Sequence, residues 1–452
     1  MSETTEQEQE KTALDSLHEA LDQQDESLAR SVVDSLHPSE IADVIEGLPK
    51  QQRYEVWKMI DSEIEGDVLS HTQDVVRAEL MEQMLPHEVA TATQDLDTDD
   101  VADILQDLPE PVAESILLAM DEQHRHRLAS VMTYPEDTAG GLMNLDVTSV
   151  RADVTLDVVA RYLRRMGEIP EDTDNIMVVD RDNHYLGVLH LTDVLIRDER
   201  TTVGEWLEET PSLKADVSTS EVARLFEQRD LVSAAVIDEE GHLLGRITID
   251  DVVDVIQSAA DQTVRSMAGL GSEDDMFSSV LSSTRSRAVW LGINLMTVFL
   301  GSWVIGRFED TIEQLVALAV LLPVVAGMGG IAGSQTLTIA IRGIAQGQLV
   351  KRNIKPLLLK ELSVGLLNGL IWSCVVGIIV YLWFEEAALG IIIALAMLIN
   401  LIIAALAGAT IPFVLKSFGV DPAIAGGVVL TTVTDVVGFM TFLGLATLFL
   451  LT

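Results

Sequence analysis

The last third of this 452-residue chain holds five long apolar stretches that are nearly free of charged residues. A helix needs about 20 mostly apolar residues to cross the hydrocarbon core of a bilayer. The sequence therefore predicts a membrane domain over 288–452 with five spanning helices, whose ends are defined to within several residues. The predicted spans are Ala288–Phe308, Gln314–Arg342, Leu357–Phe384, Ala388–Leu415 and Pro422–Leu450.

Charge divides the chain into two unlike parts. The sequence has 29 Lys and Arg against 71 Asp and Glu, a net charge of -42, although its mean hydropathy is +0.29. From residue 288 onward there are only 7 basic and 8 acidic residues, so nearly all of the acidity lies in the first 287 residues. A strongly acidic surface repels phosphate groups, so no nucleic-acid partner is expected. A single cysteine, Cys374, excludes an internal disulfide.

The distribution of Lys and Arg predicts the orientation of the spans, because cytoplasmic loops are enriched in these residues. Basic residues precede the first span and fill the second loop from Arg342 to Lys360, whereas the first and third loops are mainly acidic. The acidic half is therefore predicted to be cytoplasmic and the C-terminus to face outside, in the cell (plasma or inner) membrane. No cleavable signal peptide is expected, since the N-terminus is polar and acidic.

The acidic half begins with a helical pattern. Residues 1–12 are polar and predicted to be disordered, and 13–143 contain short amphipathic stretches separated by Pro and Asp. Leu36–Pro49 and Leu96–Pro109 resemble each other, since each has a Ser or Asp that can cap a helix and an apolar run that ends in Leu-Pro. Stacked short helices of this kind predict a small α-superhelical domain.

Between 144 and 256 the pattern changes to alternating strands and helices, which predicts an α/β fold. Three residues of a first copy recur 58 positions later: Asp180, Gly187 and Asp193 as Asp238, Gly245 and Asp251. The repeat resembles a tandem pair of cystathionine-β-synthase-type (CBS) domains, over 144–200 and 201–256. In that family Thr or Ser and Asp hold an adenosine ribose, which implies a nucleotide such as ATP at Thr248 and Asp251. The first copy has His190 in place of the hydroxyl residue. The alternative is that Thr248 and Asp251 only cap the following helix.

Three strings make the overall arrangement specific: Tyr134–Met143, Pro323–Gln335 and Thr431–Gly438. Together with an acidic helical domain, a CBS pair, a linking (plug) helix over 257–287 and five spans, they resemble the MgtE family of magnesium transporters. The resemblance covers nearly the whole chain. It implies a homodimer in the lipid bilayer, with a pore at the two-fold axis that the cytoplasmic part closes when internal Mg2+ is high.

Asp435 is the one acidic residue predicted to lie deep inside a span, with apolar residues on both sides for several turns. A carboxylate in hydrocarbon is costly unless it faces a pore or a partner, and no Lys or Arg lies at a matching depth. We therefore predict that Asp435 holds the transported divalent cation. A hydrated ion suits such a site because Mg2+ loses its waters reluctantly. The alternative is a protonated Asp that is hydrogen-bonded between helices.

The predicted pore-lining residues are Gly327, Gly330, Ile331, Thr431, Thr434 and Asp435. The glycines would thin the second span beside the pore, or else allow close helix packing. The Thr434 hydroxyl could instead bond to its own helix backbone. Relatives usually carry Asn where this chain has Ile331, which leaves open a relaxed selectivity toward Mn2+ or Co2+.

The acidic half contains candidate ligands for a regulatory Mg2+. They are Asp99, Asp100, Asp103, Asp230, Asp251, Asp254 and Asp261. Like charges repel, and a divalent ion between them relieves the repulsion, so loss of the ion would loosen the cytoplasmic part. The alternatives are a solvated helix face for any one of these residues and a halophilic surface for the acidity as a whole.

Other classes of protein fit the sequence less well. A P-loop motor is excluded because Gly-Lys does not occur, and an intramembrane metalloprotease is excluded because the last histidine is His242, before the spans. No enzymatic activity is expected. A non-transporting magnesium sensor remains an alternative. The sequence favours a homodimeric, gradient-driven, channel-like transporter.

Overall fold

The computed structural model describes residues 14–450 except 22, 24, 95, 107, 168, 171–172, 271–275 and 350–351. Residues 1–12, for which disorder is predicted, lie outside the described residues. The chain divides near Ala260 into two compact units. The first contains short helices and two small sheets, and the second contains the long apolar helices.

Short helices form the N-terminal part of the first unit, as the sequence predicts. They are α1 (residues 14–21), α2 (Glu26–Val33), α3 (Pro38–Glu46), α4 (Lys50–Trp57), α5 (Glu65–His71), α6 (Asp74–Met81), α7 (Pro86–Ala92), α8 (Thr98–Gln106), α9 (Glu110–Ala119) and α10 (Glu122–Val131). Side chains cap several of them: the Asp25 carboxylate accepts from the Leu28 N–H at 3.1 Å, and Glu40 accepts from the His37 N–H at 2.8 Å. The two similar sequence segments form α3 and α8, each of nine residues.

Two copies of one α/β unit follow. The first copy has β1 (Ser149–Arg151), α11 (Leu156–Met166), β2 (Asn175–Val179), β3 (Tyr185–His190) and α12 (Leu191–Ile196). The second copy has β4 (Leu213–Lys214), α13 (Thr219–Arg229), β5 (Ser233–Ile237), β6 (Leu243–Thr248) and α14 (Ile249–Met267). In each sheet the first strand is parallel to the second, which is antiparallel to the third. Val178 pairs with Gly187 and Val236 with Gly245, so the strand registers repeat at the sequence offset.

The string Tyr134–Met143 joins the helical part to the second copy. The Ala139 N–H donates to the Val217 carbonyl at 2.7 Å, and the Gly140 N–H donates to the Ala215 carbonyl at 2.9 Å. A Cβ on Gly140 would lie 2.5 Å from the Tyr134 ring, so only glycine fits there. A Cβ on Gly141 would lie 2.6 Å from the Pro135 carbonyl oxygen, so close contacts account for both adjacent glycines of the string.

The segment after the second copy continues as helix. α14 runs without interruption from Ile249 to Met267, so the boundary predicted between 256 and 257 falls inside it. No Gly or Pro occurs within this helix to end it earlier. The next helix begins at Val280, before the predicted start of the membrane domain at 288.

The described part of the second unit has five helices long and apolar enough to cross a membrane, which confirms the predicted number. They are α15 (Val280–Gly306), α17 (Ala317–Ala345), α18 (Ile354–Phe384), α19 (Ala387–Ser417) and α20 (Pro422–Leu450), and a short helix α16 (Glu309–Gln314) follows α15. The helix α19 is the most buried of the five and packs against α17, α18 and α20, while α15 packs against α20. The fold class predicted from the sequence is confirmed.

Candidate functional site

Asp435 lies in the middle of α20, far from both ends of the helix. Its side chain is half-buried, and it forms no hydrogen bond or ion pair with any residue that the structure describes. The predicted alternative, a protonated carboxyl bonded to a neighbouring helix, therefore finds no partner within the described part of this chain. An unpaired carboxylate at this depth is a candidate cation site.

The threonines near Asp435 lie on two different faces of α20. Thr431 is exposed one turn before Asp435, and its hydroxyl donates to the Gly427 carbonyl at 3.0 Å. Thr434 is 0% exposed, and its hydroxyl donates to the Thr431 carbonyl at 3.0 Å. The intrahelical bond that the sequence left open for Thr434 is therefore present, and its side chain faces the interior of the helix bundle.

The glycine-rich segment of α17 also has two faces. Gly327 and Gly330 lie on an open side, where an added Cβ would meet nothing within 4 Å, and Ile331 on the same side is 60% exposed. Gly329 and Gly333 are buried against α19 and α20, where an added Cβ would lie less than 3 Å from side chains of those helices. Helix packing thus accounts for Gly329 and Gly333, while the predicted pore residues of α17 lie on the exposed side.

Sequence reasoning missed a buried carboxylate and a buried amide within the spans, Glu361 and Asn400. Glu361, near the start of α18, is only 2% exposed. It accepts a hydrogen bond from Thr336 of α17 at 2.9 Å and pairs with Lys360 at 2.7 Å. Asp435 is therefore not the only carboxylate inside a span, but Glu361 has partners and Asp435 has none among the described residues. In the sequence, the neighbouring Lys360 was the one feature that could have indicated a paired carboxylate at Glu361.

A cluster of carboxylates forms where α8 of the helical part meets α14 of the second CBS copy, within the first unit. It contains Asp97, Asp99, Asp100, Asp250, Asp251 and Asp254. Asp99 is only 5% exposed. The structure thus brings together four of the predicted sensor residues that are about 150 positions apart in the sequence.

Asp99, Asp100 and Asp251 of this cluster have raised pKa values. Burial, followed by the charges of Asp251 and Asp100, raises the pKa of Asp99 well above its ordinary value. Burial, together with the charges of Asp97 and Asp250, raises the pKa of Asp100 to about 6. Burial and the Asp250 charge raise the pKa of Asp251 to about 8. Groups that resist ionisation alone can ionise together when a divalent cation replaces the protons.

Thr248 and Asp251 also form the cap that the sequence offered as the alternative to nucleotide binding. The Thr248 hydroxyl and N–H donate to the Asp251 carboxylate at 3.0 and 3.1 Å, at the start of α14. Asp251 therefore combines a capping role with a place in the acidic cluster. His190 of the first copy is near Glu208, with its Nε2 3.1 Å from that carboxylate.

The other predicted sensor residues lie outside the centre of the cluster. Asp103 is partly buried one turn after Asp99. Asp230 is exposed and ends α13 in the left-handed conformation, with φ of 51°. Asp261 is exposed further along α14. The structure does not bring Asp230 or Asp261 to the buried carboxylates.

Another type of side-chain grouping occurs at the hairpin turns of the two CBS copies. The two groups are Asp180, Asp182 and His184, and Asp238, Glu240 and His242. The Asp180 carboxylate accepts from the backbone N–H of His184, and the Asp238 carboxylate accepts from that of His242, both at 2.8 Å. The rings of the two histidines stack with their centroids 4.5 Å apart. These contacts close the turns and join the two copies, so we assign them a structural role.

The raised pKa values predict how pH affects the stability of the metal-free protein. The folded chain binds these protons more tightly than the unfolded chain, so the free energy of unfolding is expected to fall as pH rises through about 6 and then about 8. Thermal unfolding of the full chain in detergent, at pH 5 to 8 and without divalent ions, measures this dependence. The decrease of the unfolding temperature with rising pH should be smaller in Asp251→Asn, and it should also be smaller in millimolar Mg2+. A slope that is unchanged in Asp251→Asn would contradict the assignment of the cluster.

Sequence profiles of three families match the chain. "Divalent cation transporter" (MgtE) matches residues 322–445, "MgtE intracellular N domain" matches 36–137, and "CBS domain" matches 139–199 and 203–258. The fold and these matches define a multi-pass membrane protein with cytoplasmic N-terminal domains, among them a CBS pair.

Relatives with known names extend over nearly the whole chain. "Magnesium transporter MgtE" of Thermus thermophilus is 33% identical over 441 residues, which are 96% of this chain and 98% of the relative. "Magnesium transporter MgtE" of Bacillus subtilis is 28% identical over 423 residues, 93% of this chain and 94% of the relative. The chain belongs to the MgtE family of magnesium transporters, so the resemblance drawn from the sequence is confirmed.

Solved structures also resemble the cytoplasmic part of the chain. The crystal structure of the cytosolic domain of the Mg2+ channel MgtE in complex with ATP has a TM-score of 0.50 and 33% sequence identity, and the match covers 54% of this chain and 99% of that chain. The likeness agrees with a cytoplasmic unit made of helices and a CBS pair.

Proposed function

We propose that this protein is a homodimeric, channel-like transporter that lets Mg2+ enter down its electrochemical gradient. The observation that carries the proposal is the unpaired Asp435 carboxylate in the middle of α20. In a dimer, two such carboxylates around one axis would attract a hydrated cation and hold it through its water shell. Thr431 and the open side of α17, with Gly327, Gly330 and Ile331, would line the same path. We also propose that the C-terminus faces outside, because the basic loops lie on the side of the N-terminal domains.

The acidic cluster is our candidate for the regulatory site. At high internal Mg2+, an ion bound between α8 and α14 would offset the repulsion between their carboxylates and hold the helical part against the second CBS copy. When the ion leaves, the carboxylates repel one another or take up protons at a free-energy cost, and the contact loosens. The continuous helix α14 begins at this cluster, so we propose that it transmits the change toward the pore.

A nucleotide at the CBS pair would regulate the protein and would not drive transport. ATP in the cytosolic domain of a related Mg2+ channel supports such a site. The neighbours of Asp251 favour a cation at that position, because the surrounding carboxylates would repel the phosphates of ATP. We therefore assign Asp251 to metal sensing.

Uptake into liposomes tests the transport proposal. The purified protein, sealed into vesicles with a Mg2+-sensitive dye, is expected to admit Mg2+ when the inside is low in divalent ions, and Mg2+ should outcompete Mn2+ and Co2+. Comparable uptake of all three ions would instead show relaxed selectivity, which the exposed apolar side chain of Ile331 would explain. The absence of any divalent flux would favour a magnesium sensor and would contradict the role proposed for Asp435.

A further inference from the structure

Asn400 is a polar side chain in the interior of the transmembrane bundle. It lies in the middle of α19 and is 0% exposed. Its amide Nδ2 donates to the Val325 carbonyl of α17 at 2.9 Å. Its Oδ1 is buried and has no hydrogen-bond partner among the residues that the structure describes. An amide at such a position lowers the stability of the fold, because each buried polar atom without a partner is destabilising.

Two glycines make room for this amide. A Cβ on Gly329 of α17 would lie 2.3 Å from the Asn400 Nδ2 atom, and a Cβ on Gly438 of α20 would lie 2.9 Å from it. Real Cβ atoms do not approach so closely, so a side chain at either position would force the Asn400 amide to shift. The backbones of α17 and α20 therefore meet around one amide of α19.

The amide contacts both helices at the level of the proposed ion path. Gly329 directly precedes Gly330 and Ile331 on α17. Gly438 is one turn after Thr434 on the buried face of α20, and Asp435 lies between them on the partly exposed face. Because α20 is a rigid helix, whatever sets the rotation of its buried face also sets the direction of Asp435.

We propose that Asn400 is a positioning residue of the ion path, which sets the rotation of α20 and its register against α17. Its hydrogen bond to Val325 fixes the amide on α17, and its contact with Gly438 fixes the face of α20 that packs there. An apolar side chain of the same size could fill the space, but it would lack the directional bond. The inference rests on the proposed function, since it gives Asp435 its orientation in the pore.

The variant Asn400→Leu tests whether Asn400 positions Asp435 or only affects the stability of the helix bundle. Its matched control is Thr311→Val, which removes another buried interhelical bond, the 2.9 Å contact between the hydroxyls of Thr311 and Thr447. Thr447 lies three turns beyond Asp435 on α20. Thermal unfolding in detergent measures the stability of both variants, and only Thr311→Val, which removes a bond and no unpaired buried atom, is expected to be clearly less stable. Only Asn400→Leu is expected to reduce Mg2+ flux by about tenfold and to lower the preference for Mg2+ over Mn2+ and Co2+.

A second pair of variants tests the contact itself. Gly438→Ala should reduce flux because its methyl group collides with the Asn400 amide, and adding Asn400→Ala should restore part of that flux by making room. A double variant with less flux than Gly438→Ala would overturn the proposal. So would an Asn400→Leu protein whose flux and ion preference match those of Thr311→Val.

The orientation of position 435 can be measured without any flux. In a Cys374→Ser background, which removes the single native cysteine, Asp435→Cys is labelled with a water-soluble thiol reagent. Adding Asn400→Leu should change the labelling rate by several-fold, and adding Thr311→Val should leave it unchanged. Equal rates in the two variants would overturn the positioning role even if the parent protein transports Mg2+. A parent protein without flux would contradict the proposed function, while a changed labelling rate would still support the role of Asn400.

Discussion

Replacing Asp435 by Asn is expected to reduce Mg2+ flux about a hundredfold at low internal Mg2+. The substitution keeps the size of the side chain and removes its charge. A carboxylate close to a divalent cation in a medium of intermediate dielectric contributes several kcal/mol of attraction, and about 2.8 kcal/mol corresponds to a hundredfold change. The measurement is the initial rate of Mg2+ entry into dye-loaded liposomes.

Asp421→Asn provides the matched control on the same helix. Asp421 is exposed at the start of α20, where its carboxylate accepts from the Ala423 N–H at 2.8 Å. Asn can accept the same bond, so this variant makes the same chemical change outside the span and should transport within about twofold of the parent. If Asp435→Asn retained the flux of Asp421→Asn, the ion path would have to run elsewhere.

The double variant Asp99→Asn, Asp251→Asn is expected to need more internal Mg2+ for inhibition. The internal Mg2+ concentration at which the flux falls to half should rise by about tenfold or more. The variant removes two negative charges from the cluster, so a bound cation is held less strongly. In the metal-free protein the same change removes the free-energy cost of protonating these two buried carboxyl groups or of leaving them charged. The metal-free variant should therefore unfold at a higher temperature than the metal-free parent, and Mg2+ should stabilise it much less. Flux at graded internal Mg2+ and thermal unfolding measure the two effects separately.

Asp121→Asn is the control for this pair. Asp121 is an exposed carboxylate of the same helical part, and it caps α10 by accepting from the Gln123 N–H at 2.8 Å. Its conversion to Asn removes a charge outside the cluster and keeps the cap. We expect no change in Mg2+ sensitivity. An equal shift in both variants would mean that overall acidity, as on a halophilic surface, governs the response to Mg2+.

Properties that depend on local composition could be predicted from the sequence. Length and hydropathy alone determine the five spans, because a bilayer demands about 20 apolar residues in a row. The CBS repeat was visible because its strands and turns recur at one offset, and the structure shows the same strand register in both copies. Asp435 could be singled out because its neighbours along the chain are apolar.

Contacts between distant segments were decided by the tertiary structure. The sequence named Asp99 and Asp251 as separate candidates, and only the tertiary structure buries both carboxyl groups near other carboxylates, which raises their pKa values. Thr434 and Asp435 are adjacent in sequence, yet helix rotation buries one and leaves the other half-exposed.

Asn400 gave no signal in the sequence, because a single amide in an apolar run has no periodicity. Its role depends on Val325, Gly329 and Gly438 of two other helices. Hydropathy and local pattern thus determine which segments form and where they lie. The partners of a side chain depend on how helices rotate and pack, and this is set by many distant contacts at once.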